Sequence, residues 1–286
     1  MKKILVALLA LITVFAFGAC GNAGTQEEAA EDTQTEEAAE KTIGMLAFCN
    51  LDADEVGEYF SETNGKTTIT DIYYDSLDAL EMALTSGKID QADIGESTGR
   101  YMLSKNPDLE EGVITVVPTN NYGMLLMADN KELCDDISEA IEELEAEGTL
   151  AELQKTYIDG YIDGSEPEAI ELPVFEDTDD TITIAVSGDL PPMDFIGADG
   201  TPAGFNVALI SAIAQKLEVN VKLTTVNAGS RAVALTSGKV DVVFWTVSSE
   251  LKDQGMGNPL VDADMPENTV KTTPYYSEQV MGIVLK

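Results

Sequence analysis

Nine residues recur in this chain with almost no change. Ala83–Gln91 reads ALTSGKIDQ, and Ala234–Val242 reads ALTSGKVDV, 151 residues later (234 − 83). Two copies at one offset do not make a solenoid, which stacks at least about three units. They point to a duplicated lobe. In each copy an apolar-periodic segment (Leu77, Leu80, Ala83 and Leu84, then Val233, Ala234 and Leu235) ends in Ser-Gly-Lys. Gly87 and Gly238 stand where a helix end wants left-handed backbone, and Lys88 and Lys239 suit the negative helix terminus. Branched runs at Ile182–Val186, Val221–Thr225 and Val240–Phe244 frame the second copy as strand, helix, strand. This is the grammar of a mainly parallel sheet flanked by helices.

Composition narrows the function. The chain has 286 residues, with 16 Lys plus Arg against 52 Asp plus Glu, a net charge of −36. That excludes nucleic acid and anionic lipid as electrostatic partners. There is no His, the commonest acid–base catalyst and metal ligand. The cysteines Cys20, Cys49 and Cys134 lack metal-binding spacing. No catalytic residue, metal or cofactor is expected, and whether Cys49 pairs with Cys134 stays open.

Met1-Lys2-Lys3 precedes an apolar run, Ile4 to Phe17, and then Gly18-Ala19-Cys20. This resembles a bacterial lipoprotein signal, cleaved before Cys20 with acylation of its thiol (a palmitate-bearing anchor). Residues 1–20 are therefore read as the signal and 21–41 as an acidic, disordered tether without a face to bury.

The folded chain then alternates. Strands are expected at Thr42–Ala47, Thr67–Tyr73, Ile89–Ile94, Val113–Val117 and Tyr122–Ala128, and helices at Ala53–Phe60, Leu77–Thr85 and Gly99–Leu103. A longer helical stretch, Leu133 to Tyr157, breaks at Gly148, and its acidic residues read as a solvated face. Residues 166–181, with Pro167, Pro173 and an acidic run, form a linker.

Thr181 onward carries a family pattern. It includes ITIAVSGDLPPMDF, the Gly200…Gly204-Phe205 turn, the Ser-Gly-Lys-Val-Asp block and Pro274-Tyr275-Tyr276. These blocks, in this order, resemble the first lobe of the bacterial family 3 extracellular solute-binding proteins, the amino-acid-type receptors of ABC importers. YDSLDALEMALTSGKIDQADIGESTGRYML and the helices around Glu147-Gly148-Thr149 resemble that family's second lobe. The order is swapped, so the resemblance implies a circular permutation: 42–165 is lobe-2-like with the closing helices, and 182–286 is lobe-1-like with a last strand returning to lobe 2. The implied fold is α/β, a two-lobed periplasmic-binding-protein-like fold (type II) with two crossing hinge strands, near Asn121–Met124 and Tyr276–Glu278.

Binding groups should come from loops at the C-terminal ends of parallel strands. Those loops are Ser187–Met193, Asn227–Arg231 and Trp245–Ser249 in one lobe. In the other they are Phe48–Asp52, Tyr74–Ser76 and Gly95–Thr98. The candidate ligand contacts are Ser187, Asp189, Met193, Arg231, Trp245, Thr246, Ser248, Glu96 and Asn50. The pattern departs from the family in three places. Ser248 to Asp253 holds Lys252 where an Arg usually clamps a carboxylate, Leu190 stands where an aromatic is usual, and Gly95, followed by Glu96, stands where an Asp usually holds an ammonium.

The resemblance implies a monomeric, lipid-anchored receptor on the extracytoplasmic face of a bacterial membrane. It would capture a small polar solute, an amino acid or derivative, and deliver it to an ABC importer. A surface sensor or ligand-less receptor on the same fold is the alternative. A dehydratase-like enzyme using a cleft carboxylate such as Glu96 or Asp189 is a more remote one.

Overall fold

The computed structural model describes residues 39–63, 67–114, 119–165, 170–178, 180–197, 200–250 and 265–286, without the side chains of 39, 59, 60, 62, 63, 245 and 248–250. Cys20, the tether up to residue 38 and Lys252 lie outside the described residues.

The chain begins with strand β1 (Ala39–Leu46), helix α1 (Ala53–Thr63), β2 (Thr67–Tyr74), α2 (Leu77–Thr85) and β3 (Gln91–Gly95). Next come α3 (Glu96–Lys105), β4 (Leu109–Gly112), β5 (Thr119–Met127), α4 (Lys131–Ala146), α5 (Thr149–Gln154) and α6 (Gly160–Ile162). The second half runs β6 (Thr181–Val186), β7 (Asp189–Leu190), β8 (Asp194–Ile196), β9 (Pro202–Ala203), α7 (Phe205–Leu217) and β10 (Asn220–Thr225). It closes with α8 (Arg231–Thr236), β11 (Val242–Glu250), β12 (Thr269–Lys271) and β13 (Tyr276–Leu285).

Two identical topological units emerge. The first, β1-α1-β2-α2-β3, has β1 between β2 and β3, all parallel. The second, β6-α7-β10-α8-β11, has β6 between β10 and β11, all parallel. Between β6 and α7 the second unit carries an extra antiparallel patch, β7-β8-β9. The units are joined through β5 and β13. Tyr276–Gln279 of β13 run antiparallel to β5, and Val280–Ile283 of the same strand run antiparallel to β3. The result is a two-lobed α/β fold with strands shared at the junction. Two such strands are a hinge when the lobes move as bodies.

The repeat makes the same structure twice. Lys88 N–H bonds back to Ala83 O at 2.9 Å, and Lys239 N–H to Ala234 O at 3.0 Å, with Gly87 and Gly238 both at φ +70°. No atom lies within 4 Å of where a Cβ would stand at either glycine, so the left-handed backbone, not space, calls for Gly. The Asp that ends each block then ties the helix end to the unit's first strand. Asp90 accepts from Thr42 N–H and Asp241 from Thr183 N–H, both at 2.8 Å.

Of the expected strand at Val113–Val117, residues 115–117 lie outside the described residues, and Val113 and Ile114 are not in a strand. The preceding strand, β4, ends at Gly112. Register with β13 sets it: Leu109, 3% exposed, pairs with Leu285, whereas Val113 is 81% exposed. The broken helix at Gly148 is found as α4 and α5. Buried Ile137, Ile141 and Leu144 of α4 face inward, and Lys216 of α7 bridges Glu143 and Glu147 at 2.9 Å each.

Candidate functional site

A cavity of about 350 Å³ opens between the lobes and runs along one face of the first unit's sheet. Residues on this face alternate along the strands, as the two-residue strand period requires. Lys41, Ile43 and Met45 come from β1, Ile69 from β2, and Gln91, Asp93 and Gly95 from β3. The second unit contributes Ser187, Leu190, Ala228, Arg231 and Val247. The junction strands add Asn120, Tyr122, Glu278 and Val280. Five of the six loops expected to supply ligand contacts reach this cavity, and the Tyr74–Ser76 loop does not.

Arg231 is buried at 7% exposure, and its guanidinium meets backbone rather than open cavity. Its Nε donates to Ala228 O at 3.1 Å, Nη1 to Phe244 O at 3.1 Å, and Nη2 to Ala47 O at 2.7 Å. Ala47 follows β1, so this side chain fastens one lobe to the other. Two further contacts do the same. Asp189 accepts from Leu77 N–H at 3.1 Å, and Ala228 N–H donates to Asp75 O at 3.1 Å. Burial lifts the Asp189 carboxyl above its usual range, opposed by the Leu77 bond.

Glu278 is a cavity residue that was not expected from the sequence. It is 8% exposed and sits in the strand that joins the lobes. Ser97 donates to Oε2 through both its backbone N–H, at 2.7 Å, and its hydroxyl, and Tyr122 bonds the same carboxyl. The carboxylate lies so close to β3 that a Cβ at Gly95 would fall 2.0 Å from Oε1. Gly at this position is what admits Glu278. Burial raises the Glu278 carboxyl, against the Ser97 and Tyr122 bonds. A signal existed: Glu278 shares one strand face with Tyr276 and Val280, ahead of the apolar run Val280–Leu285.

At the far end, Lys41 Nζ donates to Gln91 Oε1 at 2.7 Å, and Gln91 Nε2 to Asp93 Oδ1 at 2.5 Å. Burial raises Asp93 to about 6, with Gln91 and Lys41 opposing.

The other expected contacts are dispersed. Ser187 lines the cavity, and its N–H donates to Asp194 at 2.5 Å. Met193 is fully buried in the core. Thr246 is fully buried with its hydroxyl unpartnered among the described residues. Glu96 opens α3 and pairs with Arg100 at 2.5 Å, off the cavity, and Asn50 is exposed. Trp245 and Ser248 lie in β11, Trp245 at the register shift between Val243 and Thr246, and their side chains lie outside the described residues. No disulfide joins Cys49 to Cys134.

Residues 182–253 match the family "Bacterial extracellular solute-binding proteins, family 3", which is 72 of 286 positions. No curated protein sequence matches. Among solved structures, a full-length CbnR–DNA complex aligns at 12% identity and TM-score 0.40, over 88% of this chain and 65% of that one. A zinc-bound ligand-binding component of an ABC-type import system from Staphylococcus aureus aligns at 9% identity and TM-score 0.42, over 86% and 66%. The probable amino-acid ABC transporter extracellular-binding protein YtmK from Bacillus subtilis aligns at 12% identity and TM-score 0.38, over 87% and 84%. The chain thus spans just under two thirds of the first of these proteins. Superposition at this level carries no argument about what this chain binds.

Proposed function

We propose that this chain is a lipid-anchored, extracytoplasmic solute-binding protein. It captures a small polar solute, an amino acid derivative, between its lobes and delivers it to an ABC importer. The observation that carries this reading is the cavity of about 350 Å³ whose wall draws on both lobes and both junction strands. That volume is within the ordinary range for small-molecule sites, roughly 300–1,000 Å³. Hinge closure about β5 and β13 would exchange solvent for ligand contacts, and a solute touching both lobes favours the closed form. The match over residues 182–253 supports the same reading. Acylation at Cys20 would hold the body at the membrane. Among the described residues, no helix is long and apolar enough to cross a membrane.

Segments 42–165 and 182–286 are the two halves of this receptor in circularly permuted order. The pairing of β13, at the end of the chain, with β3 and β4 near its beginning supports that arrangement.

The test is a thermal-shift screen of the full chain against amino acids, their derivatives, short peptides and polyamines. A ligand of the folded state raises Tm by mass action. At least one class should do so, and Arg231→Ala, which removes the bond to Ala47, should reduce that shift. A panel without any shift rejects solute capture in favour of a surface sensor.

A further inference from the structure

We propose that the cavity takes an amine with an apolar body and no carboxylate, its ammonium held by Glu278. The proposal rests on the capture reading above and names the solute class.

Four charged side chains line the cavity: Lys41, Asp93, Arg231 and Glu278. Three are already occupied. Lys41 and Asp93 are joined through Gln91, so that end of the cavity compensates itself. Arg231 places at least three of its five N–H donors on backbone carbonyls. At most two donors remain, on a guanidinium already fixed to the backbone, so it offers a solute carboxylate less than a free Arg would. Glu278 differs. Its partners, Ser97 and Tyr122, are neutral donors, and none of the ion pairs among the described residues includes it. A carboxylate buried to this degree, with neutral donors alone, gains most from an incoming cation.

The rest of the wall says what the cation carries. Ile43, Met45, Phe48, Ile69, Ile94 and Val280 line the same space. They suit a hydrocarbon or aromatic body and offer nothing to a second charged group. A solute carboxylate beside Glu278 would meet like charge. The net charge of −36 adds long-range attraction for cations.

Three probes share one body and differ in the head: phenethylamine, 3-phenylpropionate and phenylalanine. Thermal shift and calorimetry on the full chain should rank phenethylamine first, by about tenfold or more in Kd, and Glu278→Gln should erase the ranking. Equal or tighter binding of 3-phenylpropionate or phenylalanine overturns the proposal, as does an unchanged phenethylamine affinity in Glu278→Gln. If that variant fails to fold, the wild-type ranking decides alone. If none of the three binds while another solute of the wider screen does, this proposal falls and solute capture stands. If nothing in the screen binds, both fall.

Discussion

The two βαβαβ units share strand order, repeat and helix-end chemistry, yet one is packed and the other is hollow. In the second unit α7 reads FNVALISAIAQKL, and eight of its residues are buried, among them Phe205, Leu209 and Ile213. In the first unit the equivalent helix, α1, reads ADEVGEYFSET. Beneath it, among the described side chains, a cluster of four buried residues, Ile43, Met45, Val56 and Ile69, lines the cavity. Polar residues occupy that face where the second unit is apolar. Asp71, 5% exposed, has both carboxyl oxygens buried without a hydrogen-bond partner among the described residues, and burial with nearby Asp93 raises it to about 7. One topology therefore carries two different linings, and the cavity between the lobes runs along the sheet of the first unit.

The sharpest way to break this comparison is truncation. Leu209→Ala in the packed unit should cost about 2–5 kcal/mol, because it opens a new void. Val56→Ala in the hollow unit should cost about 1.5 kcal/mol, the transfer cost of two carbons alone, because the space beside it already exists. Urea unfolding of both variants gives the two values. Equal costs would mean that the first unit is as tightly packed as the second.

The buried carboxyl gives a comparison in pH. The folded-state value of Asp71, about 7, lies above its ordinary 3.8, so the folded state holds the proton more tightly. The stabilisation from neutral Asp71 is complete below about 3.8 and is lost as pH rises through about 7. Asp71→Asn should leave stability unchanged near pH 4. At pH 8 it should add on the order of 3 kcal/mol, shared with Asp93 because the pair titrates together. A variant with the wild-type pH profile would sever Asp71 from this account.

The smallest effect tests what the units share. Gly87→Ala and Gly238→Ala should each cost about 1 kcal/mol, and equally, because both sit at φ +70° in open space. Unequal losses in melting experiments would show that the repeated helix ends carry different loads.

Much of the scaffold was readable beforehand. The α2 bounds, Leu77–Thr85, are as expected from the apolar stripe, and β6 differs from its expected span by one residue. These elements are set by local periodicity and turn chemistry, which a short window contains. β4 shows where that stops: Leu109–Gly112 has no branched run to mark it, and register with β13 selects it. The site was less legible for the same reason. Ser187 and Arg231 reach the cavity, whereas Met193 sits in the core and Glu96 outside.

By itself, the sequence determined that the chain makes the same helix-to-strand unit twice, since Ser-Gly-Lys-apolar-Asp fixes its own backbone and hydrogen bonds. Only the tertiary structure decided what those units enclose. The bond from Arg231 to Ala47 spans 184 residues, and that from Ser97 N–H to Glu278 spans 181. Bonds over such separations form only after both lobes and the joining strands are in place. No local pattern therefore shows that Arg231 bonds three backbone carbonyls, or that Glu278 faces the cavity without a counter-charge among the described residues.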